Sequence, residues 1–77
     1  MKKYLIVVEK TGTGYSAYSP DLDGCVARGA SREEVEHEIQ EAIAFHREGM
    51  AQSGEAIPGP LAYSADVEVR LSPASLL

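Results

Sequence analysis

The residue types in this sequence that could carry out chemistry are the carboxylates Asp21 and Asp23, the imidazole of His46, the thiol of Cys25 and the run Gly12-Thr13-Gly14. Asp21 and Asp23, joined by Glu9 or Glu68, would supply the oxygen ligands of a magnesium-dependent hydrolase or nuclease. Two aspartates flanking Leu22 ahead of Gly24 are also what a turn requires, because short carboxylates bond nearby backbone N–H groups and glycine takes φ > 0. Without an assembled third or fourth ligand the pair makes a weak cation site, so turn chemistry is the better reading. His46 is of the type most used as a general acid or base, yet it falls within an apolar helix stripe with no serine or cysteine nucleophile placed beside it, which favours a packed histidine. His37, on the opposite face, is expected to be solvated. Cys25 begins a strand with no basic residue before Arg28 to stabilise a thiolate, and a buried free cysteine behaves as a small hydrophobe. In Gly12-Thr13-Gly14 the lysine precedes the glycines and a strand follows, so a phosphate-binding loop is excluded.

The elements that must position these residues are legible from Tyr15 onward. Tyr15 to Ser19 has the aromatic composition of a strand, and Pro20 ends it by fixing φ and removing a donor. Asp21 to Gly24 reverses the chain, and Cys25 to Arg28 returns as the next strand. Ser31 is an N-cap with Glu34 three residues on as its capping-box partner. From Arg32 to about Ala51, Val35, Ile39, Ala42, Ile43, His46 and Met50 recur in steps of three and four, one stripe of an amphipathic helix that lies on a sheet. Glu33, Glu36, His37, Gln40, Ala44, Arg47 and Glu48 point away, and Glu33 and Glu34 suit the positive end of the helix dipole. Ser53-Gly54 ends the helix, and Glu55 to Ser64, with Pro58-Gly59-Pro60, is a stiff irregular return path.

Two further stretches complete the sheet. Lys3 to Glu9 is apolar at Tyr4, Ile6 and Val8 and also at Leu5 and Val7, so both faces of this first strand seek cover. Lys10 to Gly14 is a hairpin loop into the second strand. Ala65 to Leu71 alternates apolar with charged residues and reads as a fourth strand covered on one face. A right-handed crossover through the helix would set it parallel beside the first strand, giving an α+β domain in the order β-β-β-α-β with one mixed sheet, strand order 3-2-1-4, and one helix on one face.

At 77 residues the chain is a single domain. A domain of that size buries only about 60% of its unfolded surface. A lone cysteine excludes an internal disulfide, and no Cys or His cluster suggests a metal, which leaves oligomerisation as the available reinforcement. The exposed second face of Leu5 and Val7 makes at least a homodimer the expectation. The apolar run after Met1 is cut short at Glu9 and Lys10, so it is a strand and not a leader or a membrane span, and the expected compartment is the cytoplasm. A net charge of −5 repels nucleic acid and favours basic partners.

Taken in order, Tyr4 in an opening strand, Gly14-Tyr15, Ser19-Pro20-Asp21-Leu22 with Gly24-Cys25, Gly29 and Ser31 with Glu33-Glu34, Glu41-Ala42-Ile43, and Ile57-Pro58 with Pro60 closely resemble the HicB-type antitoxin domain. The resemblance runs from about Lys3 to Pro60. Asp23 stands where relatives carry a second proline, Ala30 where an acidic residue is common, and Val35 and Glu38 where Ala and Asn are frequent. The resemblance implies the same β-β-β-α-β layout, akin to a truncated ribonuclease H fold, and a non-enzymatic role in neutralising a small basic RNA-cleaving toxin of the HicA type. Relatives often append a DNA-binding segment, and none follows Leu77 in this sequence, so operator binding by this chain is not expected.

The binding reading assigns Glu33, Glu36, Glu41 and Glu48 to attraction of a basic partner and Tyr18 and Leu22, beside the Pro20 turn, to an apolar anchor. Tyr15 and Tyr18, three apart, face opposite sides of an extended strand, one for the core and one for the surface. The competing readings are an oligomeric scaffold without a toxin and a small metal-dependent hydrolase.

Overall fold

The computed structural model describes residues 2–72. Three strands, β1 (Val7–Lys10), β2 (Tyr15–Tyr18) and β3 (Val26–Gly29), form one antiparallel meander and are followed by a single helix, α1 (Arg32–Gln52). Val8, Ala17 and Ala27 stand opposite one another across the sheet, as do Val7, Tyr18 and Val26 one step away. Because successive side chains alternate, the first row faces α1 and the second faces outward. The core consists of Ala17, Leu22, Cys25, Val35 and Ile39, with Tyr4, Ile6, Val8, Tyr15, Ala27, Ala42 and Ile43 packed around it. The apolar helix stripe thus lies on the sheet as its spacing requires.

Both helix ends are closed by the chemistry their residues carry. Ser31 Oγ accepts the Glu34 N–H at 3.1 Å. At the other end Gly54 takes φ 75°, its N–H donates to Ala51 O and the Glu55 N–H to Met50 O, the paired bonds of a Schellman cap. A second glycine is required by close packing. A Cβ on Gly29 would lie 2.6 Å from the Val35 nitrogen, so only glycine lets the first turn of α1 settle onto the end of β3. The helix packs mainly over β3 and β2 and touches β1 least.

The structure corrects the sequence reading in four places. The first strand is paired only from Val7, not from Lys3, because β2 ends at Tyr18 and Pro20 has no N–H to extend the ladder. Ala65 to Leu71 forms no strand within the chain: Val67, Val69 and Leu71 are 84%, 73% and 63% exposed, and the sheet has three strands in the order β1-β2-β3. The alternation is real, but a strand exists only where another backbone completes its hydrogen bonds. With no fourth strand in the sheet, the order 3-2-1-4 and the ribonuclease H-like layout are not realised in the single chain. Arg47, expected to point away from the sheet, instead sits over the Tyr4 ring at 5.6 Å, since its long aliphatic stem reaches back across the helix flank. Among the described residues, no helix is long and apolar enough to cross a membrane.

Candidate functional site

The residues that could have formed a catalytic centre are each accounted for separately. Both Asp21 carboxylate oxygens accept the Ala62 N–H, at 3.2 and 3.3 Å, which ties the return path to the β2–β3 turn across 41 residues of sequence. The turn itself is closed by backbone bonds, Leu22 N–H to Ser19 O and Cys25 N–H to Leu22 O, with Gly24 at φ 77°. Asp21 is therefore a long-range tether as well as a turn residue, a role that local spacing could not reveal. Asp23 and Glu9 are exposed, Glu68 lies on the extended tail, and no three His, Cys, Asp or Glu side chains among the described residues come together as a metal site. Cys25 is buried, and that burial raises its thiol above the ordinary value of 9.0, which makes it a poor nucleophile. His46 is half-buried along the helix stripe. Gly12-Thr13-Gly14 forms the β1–β2 hairpin loop, with the Thr11 N–H donating to Gly14 O.

What the fold does present is surface. On the outer side of α1, Glu33, Glu41 and Glu48 are all exposed, and His37 Nε2 lies 3.2 Å from Glu41 Oε1. Between two of these carboxylates stands Phe45, 80% exposed, with Glu41 one turn before it and Glu48 three residues after it. An apolar ring framed by negative charge suits a basic partner. Phe45 was not singled out from the sequence; its signal was an aromatic residue off the apolar helix stripe. Glu36 is set apart from the other three, at the flank of α1 that faces the start of the first strand.

On the opposite side of the domain, Val7, Tyr18 and Val26 form an apolar row across the outer sheet face, with Tyr18 41% exposed and Val26 68%. Tyr15 turns inward against the core, as the spacing of the two tyrosines required. Leu22, expected beside Tyr18 as a surface anchor, is instead only 2% exposed and among the largest fully buried side chains. The turn folds it inward, into the cluster it forms with Ala17, Cys25, Val35 and Ile39. In this structure it is a core residue.

The model of the HicB-like antitoxins of bacterial toxin–antitoxin systems matches residues 4–69. The chain belongs to the HicB-like antitoxin family. Within the family's reach, it is 40% identical over 55 residues to a 14.9 kDa protein of the rep–hol intergenic region of Haemophilus phage HP1, covering 71% of this chain and 41% of that one. It is 48% identical over 40 residues to a UPF0150 protein of Helicobacter pylori, covering 52% of this chain and 56% of that one. The chain thus spans about half the length of these curated relatives. Its fold is similar to a chain of the HicA3 and HicB3 toxin–antitoxin complex, with a TM-score of 0.65, 35% identity, and coverage of 74% of this chain and 66% of that one. These HicB-like matches agree with the resemblance carried by Gly14-Tyr15, the Ser19 to Cys25 turn and the capped helix start.

Proposed function

We propose that this HicB-like domain acts by binding rather than by catalysis, as an antitoxin module that captures and blocks a small basic RNA-cleaving toxin of the HicA type in the cytoplasm. The observation that carries the reading is the acidic outer face of α1, where Glu41 and Glu48 flank the exposed Phe45 and Glu33 adds charge near the start of the helix. Complementary charge accelerates encounter, whereas a desolvated aromatic contact sets the lifetime of a complex. In this domain both terms lie on one helix face, and Glu36 extends the negative field toward the first strand. Tyr18 lies on the other layer, on the outer sheet face; it is the contact residue if the toxin docks on the sheet.

The test is association kinetics with a HicA-type toxin at two salt concentrations, alongside its cleavage of RNA. Glu41→Lys with Glu48→Lys should slow association and flatten its salt dependence, and Phe45→Ala should speed dissociation and restore cleavage. Faster dissociation in Tyr18→Ala with none in Phe45→Ala would move the contact to the sheet face. If no basic toxin binds at either salt, the antitoxin reading fails and the scaffold reading replaces it.

A further inference from the structure

We propose that the outer face of the sheet, where it meets the β1–β2 hairpin loop, binds a nucleoside monophosphate, with the phosphate held by Arg28 and the hydroxyls of Thr13 and Ser16 and the base laid on Tyr18. The site lies on the layer opposite the acidic face of α1, and the inference stands independently of toxin binding.

The site consists of two open depressions that share two residues. One, of about 430 Å³, lies at the end of the sheet and is lined by Thr11, Thr13, Gly14, Ser16, Arg28 and Gly29. The other, of about 460 Å³, lies on the outer sheet face and is lined by Ser16, Tyr18, Val26 and Arg28. Ser16 and Arg28 stand opposite each other on β2 and β3 and so join the two halves. The first depression exists because the hairpin loop is drawn tightly against the end of β3: a Cβ on Gly14 would collide with Gly29 O. The groove beside the first strand, lined by Tyr4, Ile6, Ile39 and Ile43, is only about 210 Å³ and has Glu36 at its margin to oppose an anion.

The two halves differ in chemistry as the two ends of a nucleotide do. Arg28 is exposed and, among the described residues, pairs with no carboxylate, so its planar fork of donors is open to an oxyanion. Thr11 Oγ1 accepts the Thr13 N–H at 3.4 Å, which leaves its own O–H, with those of Thr13 and Ser16, to donate to the same group. In the other half Tyr18 is 41% exposed and Val26 68%, an apolar floor with an aromatic ring on which any base can stack. The spacing suits one ligand. Ser16 and Tyr18 are about 7 Å apart along β2, and Arg28 lies diagonally from Tyr18 at about 7–8 Å, room for one ribose between base and phosphate. Glu9 stands opposite Ser16 on β1, where a carboxylate accepts from ribose hydroxyls. Charge limits the ligand to a single phosphate. The net charge of −5, with Glu33 and Glu34 in the first turn of α1, repels a run of phosphates, whereas a single one needs only Arg28 and the second cation, Lys10, at the same end of the sheet.

Adenosine monophosphate, adenosine and inorganic phosphate, titrated separately into the isotope-labelled whole chain and followed by amide chemical shifts, test the proposal. Adenosine monophosphate should shift Thr13, Ser16, Tyr18 and Arg28 saturably and bind about tenfold or more tighter than either fragment. Arg28→Ala should reduce its affinity to that of adenosine, Arg28→Lys should recover part of the loss, and Tyr18→Ala should reduce it to that of inorganic phosphate. Both side chains are exposed, so the helical circular dichroism signal should not change in any of the three variants. The absence of saturable shifts, shifts confined to α1, or an Arg28→Ala chain that binds adenosine monophosphate as the parent does overturns the proposal. Equal affinity for adenosine monophosphate and inorganic phosphate overturns the placement of the base on Tyr18.

Discussion

Strand β2 and the tail from Ala65 to Leu71 are written in the same alternating pattern, yet they meet opposite fates. In β2, Tyr15 and Ala17 turn inward, Ser16 and Tyr18 turn outward, and both edges are paired, to β1 on one side and β3 on the other. In the tail, Val67 and Val69 alternate with Asp66, Glu68 and Arg70 just as regularly, but among the described residues their backbone pairs with no strand and their side chains stay exposed. Alternation determines which side chains would share a face; it does not create the second backbone on which a strand depends. The difference between the regions is therefore one of partners and not of propensity.

The contrast predicts a steep gradient of mutational cost from the packed body to the tail. Leu22→Ala should cost about 2–5 kcal/mol, because it empties a fully buried position in a core of few large side chains. In a domain this small, urea denaturation should find much of the chain unfolded before denaturant is added. Gly29→Ala should cost about 1–3 kcal/mol by forcing β3 and the start of α1 apart, and a midpoint equal to the parent's would mean that the contact relaxes freely. Asp21→Ala removes a charged acceptor from the Ala62 N–H and should cost about 1.5 kcal/mol, with faster amide exchange at Ala62 as its signature. Ser31→Ala should cost about 1 kcal/mol through loss of the N-cap, and protection of the Glu34 amide should fall with it. At the far end of the scale, Val69→Thr should change the stability of the dilute single chain by less than about 0.5 kcal/mol, and a loss comparable to that of Leu22→Ala would show that the tail packs on its own body after all.

Several features were readable before any coordinates because their causes are local. The turn at Asp21 to Gly24, the cap at Ser31, the stop at Gly54 and the inward stripe of Val35, Ile39 and Ile43 all follow from backbone freedom and from side chains within four residues of one another. Other features had no local signature. Leu22 reads from the sequence as a surface anchor beside the Pro20 turn, and only the packed structure shows that it fills the core. Asp21 reads as a turn residue from its surroundings, and its bond to Ala62 exists because the return path passes that point in space.

The residue types and their periodicity determined the meander of the first three strands, the helix with its caps and the acidity of the chain, because each is a property of short segments or of composition, while the ordered motifs from Tyr4 to Pro60 carried the family resemblance. Tertiary structure alone decided which large side chains are available to a partner. It buried Leu22, exposed Phe45 among the helix carboxylates, drew Arg47 over Tyr4 and left the groove beside the first strand open. These outcomes depend on where α1 comes to rest across the sheet, and that position is set by contacts such as Gly29 against Val35 between elements whose sequences do not encode their distance.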